Sequence, residues 1–221
     1  MLVPSDKHCQ NLPMPTPPQW LEWVRRLQSV AQTGLEYAKD PYDRQRYDEI
    51  RRIAADIAAK SDGLPDVEPV LNLFKNEMGY ATPKVDLRIA VFDQSRILLV
   101  KERSDSLWTL PGGWADVGES PAIAARREVR EESGYEVVIK KLAAVLDRDR
   151  HSHPQLAYHV YKLFFIGELC GGQARESIET SDVEFFSENA IPPLSLTRVI
   201  PEQIRHMFAH FRNPALPTSF D

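Results

Sequence analysis

Glu128, Glu131 and Glu132 lie three and four residues apart in a stretch bounded by helix-start and helix-stop residues, a spacing that puts three carboxylates on a common helix face. Like charges so placed cost roughly 0.2–0.5 kcal/mol per pair even on an exposed helix, so something should offset them. Arg127 can reach forward to Glu131, Glu119 adds a carboxylate at the helix entrance, and a Gly112-Gly113 turn precedes it. Hard oxygen donors clustered in this way suit Mg²⁺ or Mn²⁺, which bind through carboxylates together with substrate phosphates and retained waters. The chemistry this suggests is metal-assisted attack of water on a phosphate anhydride. A merely solvated face, neutralised by Arg126, Arg127 and Arg130, would explain the charges. It would not explain the glycine turn or Glu119 beside them.

The elements that must position these groups are legible from start and stop residues and from hydrophobic period. Ser120 followed by Pro121 starts a helix of about three turns and Gly134 stops it, with Ala122, Ala125 and Val129 available to the core. Before it, Val85, Leu87, Ile89 and Val91 alternate with Asp86, Arg88 and Ala90, and the turn Asp93-Gln94-Ser95 leads into Ile97 to Val100, a predicted strand pair. After it come strand candidates at 136–146, 156–169 and 183–186 and a closing helix at about 201–211. Strands with helices interposed give an α+β fold or a layered α/β sandwich.

The N-terminal third has a different period. Thr16 as cap, then Trp20, Trp23, Val24, Leu27, Val30 and Ala31 at helical spacing, predict one helix that stops at Gly34. Asp40-Pro41 opens a second, and a weaker third spans about 66–78. Three short helices cannot bury two tryptophans alone, so this piece should pack on the rest of the chain or on another subunit.

The segment GGWADVGESPAIAARREVREESGY resembles the signature of the Nudix hydrolase superfamily, Gly-x5-Glu-x7-Arg-Glu-U-x-Glu-Glu-x-Gly-U, with U a bulky apolar residue. Gly113, Glu119, Arg127, Glu128, Val129, Glu131, Glu132 and Gly134 fit it, and Tyr135 stands where an aliphatic residue is more usual. The resemblance implies an α/β/α sandwich around a mixed sheet. It implies Glu128, Glu131 and Glu132 as ligands of Mg²⁺ or Mn²⁺, often with the carbonyl of Gly112, and Arg127 as the residue that orients a glutamate. The general base of such enzymes is either a helix glutamate, which here means Glu131, or a late glutamate. Of the late ones, Glu179 is favoured over Glu184. The run from Leu27 to Ala54 resembles the helical N-terminal domain of a branch that includes CDP-choline and ADP-ribose pyrophosphatase-like enzymes. It implies a homodimer that hydrolyses a nucleoside diphosphate linked to another moiety. The expected organisation is an unstructured lead-in over 1–16, a helical domain over 17–80, the Nudix domain over 83–212 and a tail over 213–221.

Three further residues are candidate substrate contacts: Arg103 after the second strand, and Arg148 and His153 in Asp147-Arg148-Asp149-Arg150-His151-Ser152-His153-Pro154, where two arginines and two histidines could grip a phosphate, ribose or base. Trp108 reads as core. A formal net charge of -5 argues against a surface that blankets nucleic acid or anionic lipid. Two distant cysteines, Cys9 and Cys170, and the lack of a signal-like or membrane-spanning stretch lead to a cytoplasmic expectation. The rival functions are a nucleoside triphosphate or RNA-end pyrophosphohydrolase and a non-catalytic nucleotide-sensing regulator.

Overall fold

The computed structural model describes residues 18–61 and 63–221, so the lead-in and the proposed cap at Thr16 lie outside the described residues. Three helices come first, α1 (Gln19–Tyr37), α2 (Pro41–Ser61) and α3 (Glu68–Lys75). The first does not stop at Gly34 as predicted but runs one turn further. The glycine is there for packing instead. A Cβ at residue 34 would lie 2.4 Å from the Tyr47 ring, so α2 crosses α1 where the side chain is missing. Asp40 caps α2, its Oδ1 accepting from the amides of Tyr42 at 2.8 Å and Asp43 at 3.1 Å. Val24, Ala54, Ala55, Ala58, Leu71 and Phe74 form the helical core. Of the two tryptophans, Trp20 packs against that core while Trp23 stays 52% exposed.

The second domain is a mixed seven-stranded sheet between two helices. Its strands are β1 (Lys84–Asp93), β2 (Arg96–Glu102), β3 (Trp108–Thr109), β4 (Tyr135–Asp147), β5 (Val160–Gly172), β6 (Thr180–Phe186) and β7 (Ser219–Phe220). They lie in the order β3-β2-β1-β5-β4-β7, with β6 on β2. The β1–β2 pair is the antiparallel hairpin expected, whereas β1 and β5 run parallel, Asp86 facing Lys162 across the pair. The tail is tied back, because Ser219–Phe220 pairs with Ala144 and Val145. Helix α4 (Pro121–Ser133) covers one face through Ala124, Ala125 and Val129 against Leu87, Ile89 and Val91. Ala124 takes the inward place expected of Ala122, which is exposed. Helix α5 (Pro201–Arg212) covers the other face through Ile204, Met207 and Phe208, over Ala90, Phe164 and Trp108. This is the α/β/α sandwich, and Trp108 is core as read.

Candidate functional site

The site is built on α4, whose ends are fixed locally. The Ser120 hydroxyl accepts from the Ile123 amide at 3.4 Å, Pro121 opens the first turn, and Gly134 closes the helix at φ 76. Its inward face carries Glu128 and Glu132 as well as the apolar residues, at 9% and 5% exposure. Glu131 is on the solvent side, its side chain 58% exposed. Arg127 ties the group together. Its Nε donates to Glu119 at 3.0 Å, and its Nη1 donates to Glu128 and to Glu131, each at 3.0 Å. Burial would lower the pKa of this guanidinium, but the hydrogen bonds it donates to Glu131 and Glu119 and the charge of Glu128 hold it above its ordinary value.

The glycine turn closes against these carboxylates. The Gly112 amide donates to Glu132 Oε2 at 2.9 Å. Gly112 has φ 142, and a Cβ there would lie 1.9 Å from the Leu87 carbonyl oxygen, so the loop can approach β1 only without a side chain. A Cβ on Gly113 would meet the Glu128 carboxylate at 3.1–3.3 Å. Gly112→Ala is therefore expected to cost on the order of 2–3 kcal/mol through backbone strain and displaced β1 contacts, measurable as a lower midpoint in urea.

Electrostatically the site is short of positive charge. Burial pushes the Glu128 carboxyl above its usual range, opposed by Arg127. Burial pushes Glu132 up to about 8, against the nearby Arg88 and the Gly112 amide. Glu102, 5% exposed at the end of β2, is also raised by burial, with Arg198 opposing it and Asp105 and Glu179 adding to the rise. Buried carboxylates in excess of their cations fit a divalent ion better than water.

The other candidates are placed as follows. Glu179 is exposed just before β6, its carbonyl accepting from the Arg103 amide at 2.8 Å, and its charge is felt by Glu102. Glu184 lies within β6, opposite Leu99. Arg103 donates to Glu176 at 2.8 Å and to the Ser177 carbonyl at 3.1 Å, on the same rim as Glu179. Arg148 and His153 are not on an exposed loop. Arg148 is 2% exposed and donates to the Pro154 carbonyl at 2.6 Å. His153 has both ring nitrogens engaged, with the Leu196 carbonyl at 2.7 Å and Gln203 at 2.9 Å, and burial lowers its pKa to about 4, so it is neutral near pH 7.

Beneath the glycine turn is a buried charge cluster that sequence reading did not single out. Arg88 grips Asp86 with Nη2 at 2.8 Å and Nε at 3.1 Å, and donates to the Leu110 carbonyl at 3.2 Å, just ahead of Gly112. Lys162 binds Asp86 from β5. The signal was present as charged residues inside strand patterns, but nothing local said that both sheet faces are covered. Asp147, Asp149 and His159 bring three donor atoms within 4.8 Å of one another elsewhere, and there Arg25 of α1 already pairs with Asp149.

Arg127→Lys tests the central role of this arginine, since an ammonium cannot hold Glu119, Glu128 and Glu131 in one planar fork. Activity is expected to fall roughly 10–100-fold with the fold intact, checked by steady-state kinetics beside circular dichroism.

Known proteins resemble this chain in sequence and fold. Residues 82–210 match the model of the NUDIX domain, and residues 18–74 match that of a UDP-X-like N-terminal oligomerisation domain. The chain is 44% identical over 203 residues to the Bacillus subtilis protein named "Putative ADP-ribose pyrophosphatase YjhB", covering 92% of this chain and 97% of that one. The crystal structure of an ADP-ribose pyrophosphatase from Streptococcus suis is 38% identical with a TM-score of 0.59, covering 63% of this chain and 100% of that one. The crystal structure of a UDP-X diphosphatase is 30% identical with a TM-score of 0.60, covering 91% and 98%.

Proposed function

This chain belongs to the NUDIX family, and from that premise we propose that it hydrolyses the pyrophosphate bond of a nucleoside diphosphate linked to another moiety, of the ADP-ribose or CDP-choline type. The products are a nucleoside monophosphate and the phosphorylated moiety. The observation that carries this reading is the Arg127-centred carboxylate set, with Glu128 and Glu132 buried against the Gly112-Gly113 turn. Relatives named for ADP-ribose pyrophosphatase and UDP-X diphosphatase activity support the substrate class.

Glu128, Glu131 and Glu132, with the Gly112 carbonyl, are the groups that would hold Mg²⁺ or Mn²⁺. When bound, such an ion polarises phosphoryl oxygens and makes a coordinated water more acidic. The chain's own residues do the positioning. Arg127 keeps Glu119, Glu128 and Glu131 in register, and the Gly112 amide aims Glu132. Glu179, on the rim with Arg103, offers its carboxylate oxygen to the proton of the attacking water, while Arg103 can exchange its bond to Glu176 for a substrate phosphate.

The helical domain serves a homodimer. Trp23, Val30 and Tyr37 recur every seven residues on α1 and are 52%, 53% and 66% exposed, in a segment that matches an oligomerisation model. No described helix is long and apolar enough to cross a membrane.

Comparing ADP-ribose, CDP-choline, a nucleoside triphosphate and 5′-triphosphorylated RNA with Mg²⁺ and with Mn²⁺, products read by chromatography, tests the reading. The expected result is preferential cleavage of the diphosphate-linked substrates. A clear preference for the triphosphate or for RNA ends, or no turnover of any of them, overturns it.

A further inference from the structure

We infer that Arg198, in the loop before α5, is a positioning residue: it clamps the 103–107 turn and so holds Arg103 where a substrate phosphate reaches it. This rests on the diphosphate-linked substrate reading above, in which Arg103 takes a phosphate, and it assigns to that contact a residue outside the carboxylate site.

Arg103 opens the turn between β2 and β3 and is joined to the carboxylate helix through the start of β6. Its amide donates to the Glu179 carbonyl at 2.8 Å, and the Thr180 hydroxyl donates to the Glu132 carbonyl at 2.6 Å. Without substrate, the Arg103 side chain is held by Glu176 and the Ser177 carbonyl. Taking a phosphate means giving up Glu176, and the guanidinium is then placed by the turn that carries it. That turn is strained. Ser106 has φ 60, a left-handed conformation that costs a non-glycine residue on the order of 1 kcal/mol.

The tether comes from far along the chain. Arg198 Nε pairs with Glu102 at 2.9 Å, while Nη2 donates to the Ser104 hydroxyl at 3.1 Å and Nη1 to Asp105 at 3.3 Å. One guanidinium thus engages the residue before Arg103 and the two after it. The base from which it reaches is fixed. Ser195 is fully buried, its amide donating to the Trp108 carbonyl at 2.8 Å, its hydroxyl to Asp105 at 2.7 Å, and its carbonyl accepting the Arg198 amide at 2.8 Å. Electrostatics make the cation necessary. Burial pushes Glu102 up, with Asp105 and Glu179 adding to the rise and Arg198 opposing it. Without Arg198 the carboxylates of Glu102 and Asp105 repel one another across a turn that is already strained, and the turn opens. A planar fork of donors serves these partners at once, which a lysine ammonium does less well.

The test is steady-state kinetics on ADP-ribose and CDP-choline with Mg²⁺, using the full chain and the variants Arg198→Ala, Arg198→Lys, Arg103→Ala and Arg103→Ala/Arg198→Ala. Arg198→Ala is expected to raise KM on the order of tenfold and to lower kcat by less, with Arg198→Lys between it and the wild type. In the Arg103→Ala background the same substitution is expected to change KM by less than about twofold, because the residue through which it acts is gone. A merely structural role would raise KM alike in both backgrounds. Should Arg198→Ala fail to fold with Glu102 left unpaired, Arg198→Ala/Glu102→Gln removes that charge and carries the same comparison. Wild-type KM in a folded Arg198→Ala, or an equal rise with and without Arg103, overturns the inference and leaves the hydrolytic reading standing. Wild-type KM in Arg103→Ala removes Arg103 as a phosphate contact and the inference with it. Failure of the wild-type protein to cleave either substrate overturns both readings.

Discussion

Glu132→Gln should abolish most of the hydrolysis and leave the metal-free protein at least as stable as the wild type. The carboxylate is 5% exposed, accepts the Gly112 amide and has its pKa raised by burial to about 8. The amide is nearly isosteric and keeps an acceptor for Gly112, so packing is preserved. What disappears is a charged oxygen donor for a divalent ion, and a fall on the order of 10³-fold in kcat, about 4 kcal/mol, is expected at saturating Mg²⁺. The stability effect follows from linkage. A carboxyl whose folded pKa lies above its unfolded value of 4.5 holds its proton in the native state while the unfolded chain has released it. Its stabilising contribution is therefore full below pH 4.5 and is lost as pH rises to about 8. Glutamine carries no such penalty. Thermal melts of metal-free protein at pH 8 should show Glu132→Gln equal to or above wild type, and added Mg²⁺ should raise wild type more than the variant. Undiminished turnover in Glu132→Gln would remove this residue from the metal set.

Local features were the legible ones. The ends of α4 could be placed because Ser120, Pro121 and Gly134 each act within one turn of the backbone they terminate. Spacing alone puts Glu128, Glu131 and Glu132 on a common face, whereas the packed helix buries Glu128 and Glu132 and turns Glu131 to solvent. Gly34 was misread as a stop for the opposite reason. What justifies it is the ring of Tyr47 from the next helix, and a through-space contact of that kind leaves no trace in the local pattern. The pattern offers Ala122 to the core where the helix buries Ala124, a difference in helix phase that an amphipathic pattern with few large residues permits. Arg148 and His153 look like an exposed charged loop in sequence, yet Arg148 is buried, and loop 193–199 and the start of α5 reach His153, with Leu196 and Gln203 taking the imidazole. In each case the residue types were read correctly and the burial was not, because burial is decided by elements far away in the chain.

The glycine turn too is held by residues far away in the chain. Gly112 can aim its amide at Glu132 only if Leu110 is held, and Leu110 is held by a guanidinium under the sheet face rather than by solvent. Arg88 therefore belongs to a positioning chain that runs from Asp86 through Leu110 to the carboxylate site. Burial alone would lower its pKa, and Asp86 raises it above the ordinary value. Asp86 in turn is pushed up by burial but held below the carboxylate range by Arg88 and Lys162 together.

Asp86→Ala should therefore be the most destabilising single change in the sheet domain. Arg88 and Lys162, 5% and 2% exposed, would face one another without the carboxylate that both bind. Removing one partner from a buried ion cluster typically costs 3–5 kcal/mol, about 6–20 °C in melting temperature for a chain of this length. The pH dependence separates this cause from simple loss of packing. In the wild type, burial already lowers Lys162 to about 8 even with Asp86 opposing it, so between there and its ordinary 10.5 the unfolded chain binds a proton the native one does not, and stability rises with pH. Without Asp86 the lysine sheds its proton at a lower pH still, and the rise begins earlier. The deficit of Asp86→Ala measured by urea denaturation should thus shrink as pH increases toward 8 and stay constant above it. A deficit below about 1 kcal/mol, or one that grows with pH, would mean that the cluster does not depend on Asp86 for its charge balance. Hydrolysis should fall in the same variant under conditions where it remains folded, because the Leu110 carbonyl loses the well-placed guanidinium that sets the turn.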